Sequence, residues 1–192
     1  GVSRELFLKL CTILVESANE LTDRVKDIMA LVDDRKIDTA ALFTAFMNGD
    51  ESAFDKAEEN YEIDKSILGF LVYNSIKPSL VVFSVRISQY LEKETVWEKG
   101  YCPVCGSAPE LSVFEENGKR SLVCSFCNHK WLSKRIYCPF CENTDHETLK
   151  YYNVGDEEEY RIDACEKCKK YIKTIDTKKT SRTIYLPLEN QT

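Results

Sequence analysis

The first half of the chain alternates apolar and polar residues with the period of an α-helix. Leu6, Leu10 and Leu14 lie on one face of a predicted helix from Arg4 to about residue 18, and Ser3 is placed to cap it. Further apolar stripes of helical spacing follow at residues 21–32, 42–47, 54–61 and 67–71. The pattern predicts a helical domain over residues 1–96, followed by a change in composition near Glu92.

Two breaks divide this helical pattern. The stripe that begins after Asp38 stops at Asn48 and Gly49, residues typical of a helix C-terminus. Pro78 interrupts the last apolar stretch, which continues at helical spacing from Leu80. Because proline has no N–H and a fixed φ, we expect a helix start or a kink at Pro78 and not a helix interior.

The second half has the alternation and composition of short β-strands. The Asn117-Gly118 pair between two such runs predicts a hairpin, since both residues tolerate positive φ. A second hairpin is expected to turn at Gly155, with the acidic residues 156–159 in a solvated loop. The predicted strands cover residues 110–116, 119–123, 131–137, 148–154, 160–164 and 171–176.

Cysteine usage adds metal chemistry to this picture. Of nine cysteines, Cys11 is isolated and expected to be a small buried hydrophobe. The other eight form four Cys-x-x-Cys pairs, a pattern that in a cytoplasmic chain favours metal binding over disulfides. We predict two metal ions, iron or zinc, each held by four of these cysteines: Cys102, Cys105, Cys124, Cys127, Cys138, Cys141, Cys165 and Cys168.

An internal repeat suggests how the cysteines are shared. The sequence Tyr-Cys-Pro-x-Cys occurs at residues 101–105 and again at 137–141, and each copy is followed by a hairpin and a second pair. We therefore predict a first module over 97–136 and a second over 137–180, with a tail at 181–192. The pairs within a module lie 18 and 23 residues apart, which favours sequential pairing over a cross-braced arrangement.

Four thiolates leave no open coordination position, so each site is expected to be structural or electron-transferring and not hydrolytic. His129 and His146 are accordingly expected to be surface or supporting residues. No catalytic residue is predicted, and we expect a protein that is not an enzyme.

The net charge and the first residues of the chain indicate which partners and which cellular compartment to expect. The formal net charge is −6, all of it in residues 1–100, where 12 basic and 18 acidic side chains lie. This acidity disfavours non-specific nucleic-acid binding. No run approaches the roughly 18 apolar residues of a membrane span, and residues 1–5 lack the features of an export signal. We expect a cytoplasmic protein.

The cysteine turns carry a family resemblance. Residues 99–109, Lys-Gly-Tyr-Cys-Pro-Val-Cys-Gly-Ser-Ala-Pro, resemble the first metal turn of the FdhE family, accessory proteins for formate dehydrogenase formation. The resemblance continues through residues 124–127, Trp131, Arg135 and residues 138–141, and ends with 165–174. Upstream, residues 42–50 and 71–80 resemble that family's helical half.

The resemblance implies an α+β fold: an N-terminal helical bundle followed by two tandem rubredoxin-like or zinc-ribbon β-hairpin modules. It also implies cytoplasmic assistance in maturing a respiratory formate dehydrogenase, by binding its catalytic subunit before export. Iron in the cysteine sites is implied as well, together with the eight cysteine ligands. Two alternatives remain: a zinc-ribbon nucleic-acid or transcription-associated module, for which Lys167, Lys169, Lys170, Lys173, Lys178, Lys179 and Arg182 form a basic run, and a rubredoxin-like electron carrier.

Overall fold

A computed structural model describes residues 2–17, 20–91 and 95–180. The described chain divides into two compact units, Gly1–Ser79 and Leu80–Thr192. The predicted tail at 181–192, with Arg182 of the basic run, lies outside the described residues, as does Glu92. Five helices come first: α1 (Val2–Glu16), α2 (Thr22–Asp33), α3 (Thr39–Asn48), α4 (Ser52–Tyr61) and α5 (Lys65–Ser88).

The first unit is helical, as its apolar stripes predict. Its core contains side chains from α1, α2 and α5 that are fully buried, among them Phe7, Ile28 and Leu68. Cys11 is also fully buried, which confirms its expected role as a small hydrophobe. Apolar burial of this kind, and not helix propensity, is the main stabilisation of such short helices.

The two ends of α3 follow the predicted signals. The Asp38 carboxylate accepts a 2.9 Å hydrogen bond from the N–H of Ala40, which satisfies an otherwise free donor of the first turn. Gly49 ends the helix in the left-handed region with φ 67°, where its N–H bonds the carbonyl of Phe46. The Asn48-Gly49 stop is confirmed.

Helix α5 departs from expectation, because Pro78 lies inside it. A proline here leaves the carbonyl four residues earlier without its helical donor. The boundary between the two compact units falls one residue later, between Ser79 and Leu80. By length and composition, α5 is also able to cross a membrane. Core helices of globular proteins can have the same length and composition, so these properties are only weak evidence for a membrane span.

Over its described residues, the second unit is built on one mixed sheet of six strands, in the order β3-β2-β1-β6-β5-β4. The neighbours are antiparallel except β1 and β6, which run parallel from Leu111 opposite Lys173 to Phe114 opposite Asp176. This parallel contact joins the two repeats into one sheet. The strands are β1 (Pro109–Phe114), β2 (Arg120–Cys124), β3 (Lys130–Ser133), β4 (Leu149–Val154), β5 (Glu157–Cys165) and β6 (Tyr171–Asp176).

The two faces of this sheet differ in chemistry. One face carries an apolar cluster of Leu111, Val113, Val123 and Ile175, with Tyr160 packed against it. The opposite face, which we call the polar face, carries Arg120 and Asp163. The side-chain period of two in a strand places these sets on opposite sides.

The α+β class, with a helical region before a sheet with two cysteine groups, is confirmed. Two strand predictions were wrong in extent. The third strand ends at Ser133 and not at Tyr137, because the following residues lead into the third cysteine turn. Glu157–Glu159, assigned to a loop, belong to β5, where Glu157 pairs with Val154 of β4 and the charged side chains of Glu157 and Glu158 are exposed to solvent.

Candidate metal centres

Four turns with the same hydrogen-bonding pattern hold the cysteines. In each, the N–H of the first cysteine donates to the carbonyl five residues later, which curls the backbone around the two sulfurs. The four N···O distances are nearly equal: Cys102 to Ser107 2.8 Å, Cys124 to His129 2.9 Å, Cys138 to Asn143 2.8 Å and Cys165 to Lys170 2.9 Å. The repeat seen in the sequence is therefore a repeat of local structure.

The residue after each second cysteine adopts the left-handed conformation. Gly106 has φ 77° and Asn128 57°, and both residue types tolerate this region. Glu142 and Lys169 have φ 59° and 60°, which L-residues with long side chains rarely adopt. The expectation of positive φ at these positions is confirmed, including at the two less suitable residues.

The eight cysteines come together as two groups, each with its four sulfur atoms within 4.8 Å of one another. In the first, the sulfurs of Cys102 and Cys127 are 3.6 Å apart and those of Cys105 and Cys124 are 3.4 Å apart. A tetrahedron of sulfurs at about 2.3 Å from a metal has edges of about 3.8 Å. The first group therefore fits one tetrahedral ion.

The second group has the same geometry. The sulfurs of Cys138 and Cys168 are 3.6 Å apart, and those of Cys141 and Cys165 are 3.7 Å apart. Both groups join consecutive turns, as sequential pairing predicts, and not alternate turns as a cross-brace requires. Two groups of four cysteines can thus hold metal ions, and thiolate donors suit iron and zinc alike.

Donors around the sulfurs favour the thiolate form. The N–H groups of Val104 and Phe126 lie 3.4 Å from the sulfurs of Cys102 and Cys124. In the second group, the buried Asn143 side chain donates to the Cys165 sulfur at 3.6 Å and to the Thr148 hydroxyl at 2.7 Å. Such supporting bonds orient metal ligands and tune their basicity. Asn143 was not predicted, since its role depends on a hydrogen bond across 22 residues.

Crowding separates the thiol pKa values within each group. Hydrogen bonds from the Cys124 and Cys127 sulfurs lower the pKa of Cys102 to about 4, whereas the bond with Cys102 raises that of Cys127. Burial raises the pKa of Cys138 to about 12. Burial also acts to raise the pKa of Cys165, but backbone and Asn143 donors outweigh it and lower the pKa to about 6. Four thiolates in one group need a cation to offset their charge.

The two groups differ in exposure. Three cysteines of the first are fully buried and Cys105 is half-buried, whereas Cys141 and Cys168 of the second are both half-buried. The Ser84 hydroxyl at the end of α5 donates a 2.8 Å bond to the Cys127 carbonyl and helps to cover the first group. The second group is thus the more accessible one.

Arg120 ties the two repeats together on the polar face. It is 3% exposed, and its guanidinium donates to the Ser112 hydroxyl at 2.8 Å and to the Tyr137 carbonyl at 2.7 Å. A third contact reaches the Asp163 carboxylate at 3.4 Å. Ser112 belongs to the first repeat, and Tyr137 and Asp163 to the second. No sequence motif predicted this network of hydrogen bonds.

A second junction involves a close backbone approach. A Cβ at Gly100 would overlap the carbonyl oxygen of Pro139, in the first turn of the second repeat. Glycine is therefore required where the two repeats meet. The two tyrosines that precede the repeated turns also differ: Tyr137 is buried and donates to the Glu98 carbonyl at 3.2 Å, whereas Tyr101 is exposed.

The remaining candidate residues lie outside the sulfur groups. His129 stacks on Trp131, with ring centroids 6.3 Å apart and planes at 9°. Burial lowers the pKa of His129, which favours the neutral ring. The described part of the basic run is spread along the chain, from the fourth cysteine turn at Lys167 to the short 3-10 helix Thr177–Lys179.

A helical region followed by a sheet with two four-sulfur groups defines a class of protein with two four-cysteine groups that can hold metal ions. Residues 101–135 match the family model described as FdhE, central domain. A protein named FdhE homolog from Aquifex aeolicus is 30% identical over 179 residues, covering 90% of this chain and 56% of its own length. One from Glaesserella parasuis is 34% identical over 104 residues, 50% of this chain and 33% of its own. The resemblance to the FdhE family is confirmed.

A solved structure of the FdhE protein from Pseudomonas aeruginosa is also similar, with 26% identity and a TM-score of 0.46. It covers 56% of this chain and 39% of its own. The chain spans less than two thirds of the length of the curated relatives that it matches.

Proposed function

We propose that the protein is a non-catalytic accessory factor for the maturation of a respiratory formate dehydrogenase. The family resemblance supports the link to formate dehydrogenase, and the closed four-sulfur groups support a binding role over hydrolysis. The observation that carries the proposal is that both groups lie on one sheet whose first turns match the FdhE central domain.

In this proposal all eight cysteines of the four turns bind metal, four to each ion. When bound, zinc would fix the turns rigidly, and iron would add a one-electron redox couple to the same scaffold. The chain's own contribution is the four backbone turns, the N–H donors to sulfur and the side chain of Asn143. These groups position the four sulfur atoms of each group for one metal ion.

The client in this proposal is the enzyme's catalytic subunit, met in the cytoplasm before export. The test is a pull-down from the native cell with metal-loaded protein as bait, followed by mass spectrometry of captured subunits. Enrichment of the formate dehydrogenase catalytic subunit supports the proposal. Its absence from eluates of a bait with two intact metal sites would contradict the proposal.

In the proposed function, the metal modules take part in binding the client. Replacing Cys102 and Cys105 together by Ser should weaken capture, since the first group then lacks half its ligands. A matched Cys11→Ser variant removes a cysteine outside both groups and should capture the client normally. Equal capture by both variants would show that the first metal module does not contribute.

A further inference from the structure

A cavity of about 310 Å³ opens on the polar face of the sheet, next to the second cysteine group. Among the described residues, four cationic side chains and a single carboxylate line it on this face: Arg120, Arg135, Arg161, Lys170 and Asp163. Counting a divalent ion with four thiolates nearby as −2, the lining still has a net charge of about +1. The cavity is thus a positive site in a protein whose net charge is −6.

The cationic groups are held in place before any ligand arrives. The guanidinium of Arg161 lies 4.4 Å over the ring of Phe114 and 5.1 Å over that of Tyr151. Its Nε is also 2.9 Å from an oxygen of Asp163. The ammonium of Lys170 lies 5.5 Å over the Phe140 ring. Groups already ordered by such contacts lose less conformational freedom when they bind an anion.

The edge of the sheet runs along this cavity. Within the described residues β4 pairs only with β5, so its other side is a free strand edge. The Thr148 carbonyl accepts a 2.9 Å bond from the Glu166 N–H. Because hydrogen-bonded pairs alternate in an antiparallel ladder, the backbone groups of Leu149, Tyr151 and Asn153 point away from β5.

The exposed edge is also apolar and aromatic. Tyr151 is 64% exposed and Tyr152 58%, on opposite sides of the strand. Leu149 and Tyr151 line the cavity, so one strand offers both main-chain partners and a path into the positive site. An open edge of this kind is a template for a further strand.

We propose that β4 and the adjoining cavity bind an extended acidic peptide segment of a partner protein. The peptide's main chain pairs with the outward groups of Leu149, Tyr151 and Asn153. A Glu or Asp side chain that points to the polar face enters the cavity and meets Arg161, Arg135 and Lys170. Main-chain pairing gives affinity, and the cavity selects acidic residues at alternate positions. This proposal rests on the proposed function only in assigning the peptide to the client.

The first test uses fluorescence anisotropy with metal-loaded full-length chain and labelled ten-residue peptides. The probe alternates Glu with Val, and a matched peptide has Gln in place of every Glu. We expect the Gln peptide and 300 mM salt each to weaken binding at least tenfold. A probe with N-methyl groups on alternate residues should bind similarly weakly, since it cannot pair with a strand edge. Equal binding of the Glu and N-methyl probes would overturn the strand addition.

The second test places the site on the molecule. The double variant Arg135→Glu and Lys170→Glu should bind the acidic probe at least tenfold more weakly. The double variant Lys26→Glu and Lys56→Glu changes the net charge by the same amount on exposed helical positions, and should bind normally. Equal loss in both variants would mean that overall charge, and not this cavity, determines binding.

A single-stranded RNA of equal charge serves as the competing ligand. If the RNA binds and is lost in the cavity variant while the acidic peptide fails to bind, the peptide proposal is wrong. The client pull-down separates the two proposals. Capture of the catalytic subunit without peptide binding overturns only the docking site, whereas peptide binding without capture overturns only the identity of the client.

Discussion

Glu142 and Lys169 stand at the tightest points of the second cysteine group, with the left-handed φ values that Gly106 and Asn128 adopt in the first. An L-residue with a Cβ loses about 1–2 kcal/mol in this region, whereas glycine does not. The second group is therefore built with strain that the first avoids. The turns of the second group are less stable for this reason, and they place the charged side chains of Glu142 and Lys169 at exposed positions.

Glu142→Gly is expected to stabilise the protein by about 0.5–1 kcal/mol, since relief of the left-handed strain exceeds the added flexibility of glycine. Glu142→Ala is the matched control, because it removes the side chain and keeps the Cβ. Thermal unfolding of both variants with equal metal content measures the difference. A midpoint for the Gly variant at or below that of the Ala variant would refute this explanation of the turn.

The acid–base behaviour of Cys11 is set mainly by its burial in the helical core. Burial raises its pKa to about 12, well above that of an unfolded cysteine. Folding therefore favours the neutral thiol, and this contribution to the free energy of unfolding is fully present below about pH 8.5. It is lost as the pH rises toward 12 and the folded thiol ionises. At pH 8 the folded thiol should react with iodoacetamide roughly a thousandfold more slowly than the unfolded one. Mass spectrometry of the Cys11 peptide measures this, and rapid labelling in the folded state would contradict it.

At the scale of elements, the strands of both repeats are joined by Arg120 in β2, which reaches β1, β5 and the third turn. Arg120→Met keeps the volume and removes the donors, leaving the Tyr137 carbonyl and the Asp163 carboxylate with fewer partners. We expect a loss of about 3 kcal/mol in the free energy of unfolding. Arg86→Met, at an exposed position of α5, is the control and should change it by less than about 0.5 kcal/mol. Equal unfolding midpoints for the two variants would count against the network.

Elements with a local signal were predictable from sequence. The end of α3 at Gly49, the Asn117-Gly118 hairpin and the strand at 171–176 all appear as expected, because turn residues and short-range alternation determine them. The cysteine groups were equally predictable, since the Cys-x-x-Cys spacing itself specifies the turn. The continuation of α5 through Pro78 was not, because there tertiary context outweighs the local preference.

The joining of the repeats was also beyond sequence reasoning. Two tandem modules were predicted, but the parallel pairing of β1 with β6 makes their strands one sheet. That pairing joins residues about 60 positions apart, and the sequence of neither strand predicts which strand it pairs with. Arg120, Gly100 and Asn143 act through similarly distant contacts, so their roles appear only in three dimensions.

At the scale of the molecule, the two cysteine groups differ in their cover. The half-buried Cys141 and Cys168 give a chelator access to the second ion, whereas only Cys105 is half-buried in the first group. We expect about two metal ions per chain and release in two phases when a chromogenic chelator is added. The faster phase should vanish in Cys141→Ser, and the slower one in Cys105→Ser. A single phase in the unaltered protein would show that the cover does not control release.

The parallel contact between β1 and β6 also sets an order of events during synthesis. All ligands of the first group are available once Cys127 has left the ribosome, before residues 171–176 of β6 have left it. The sheet itself cannot close until those last residues arrive, because its central pairing joins the first strand to the sixth. Pairings so distant in sequence form late and slowly. A nascent chain therefore passes through a stage with all ligands of the first group available and the central edge of its sheet still open, which the final strand closes.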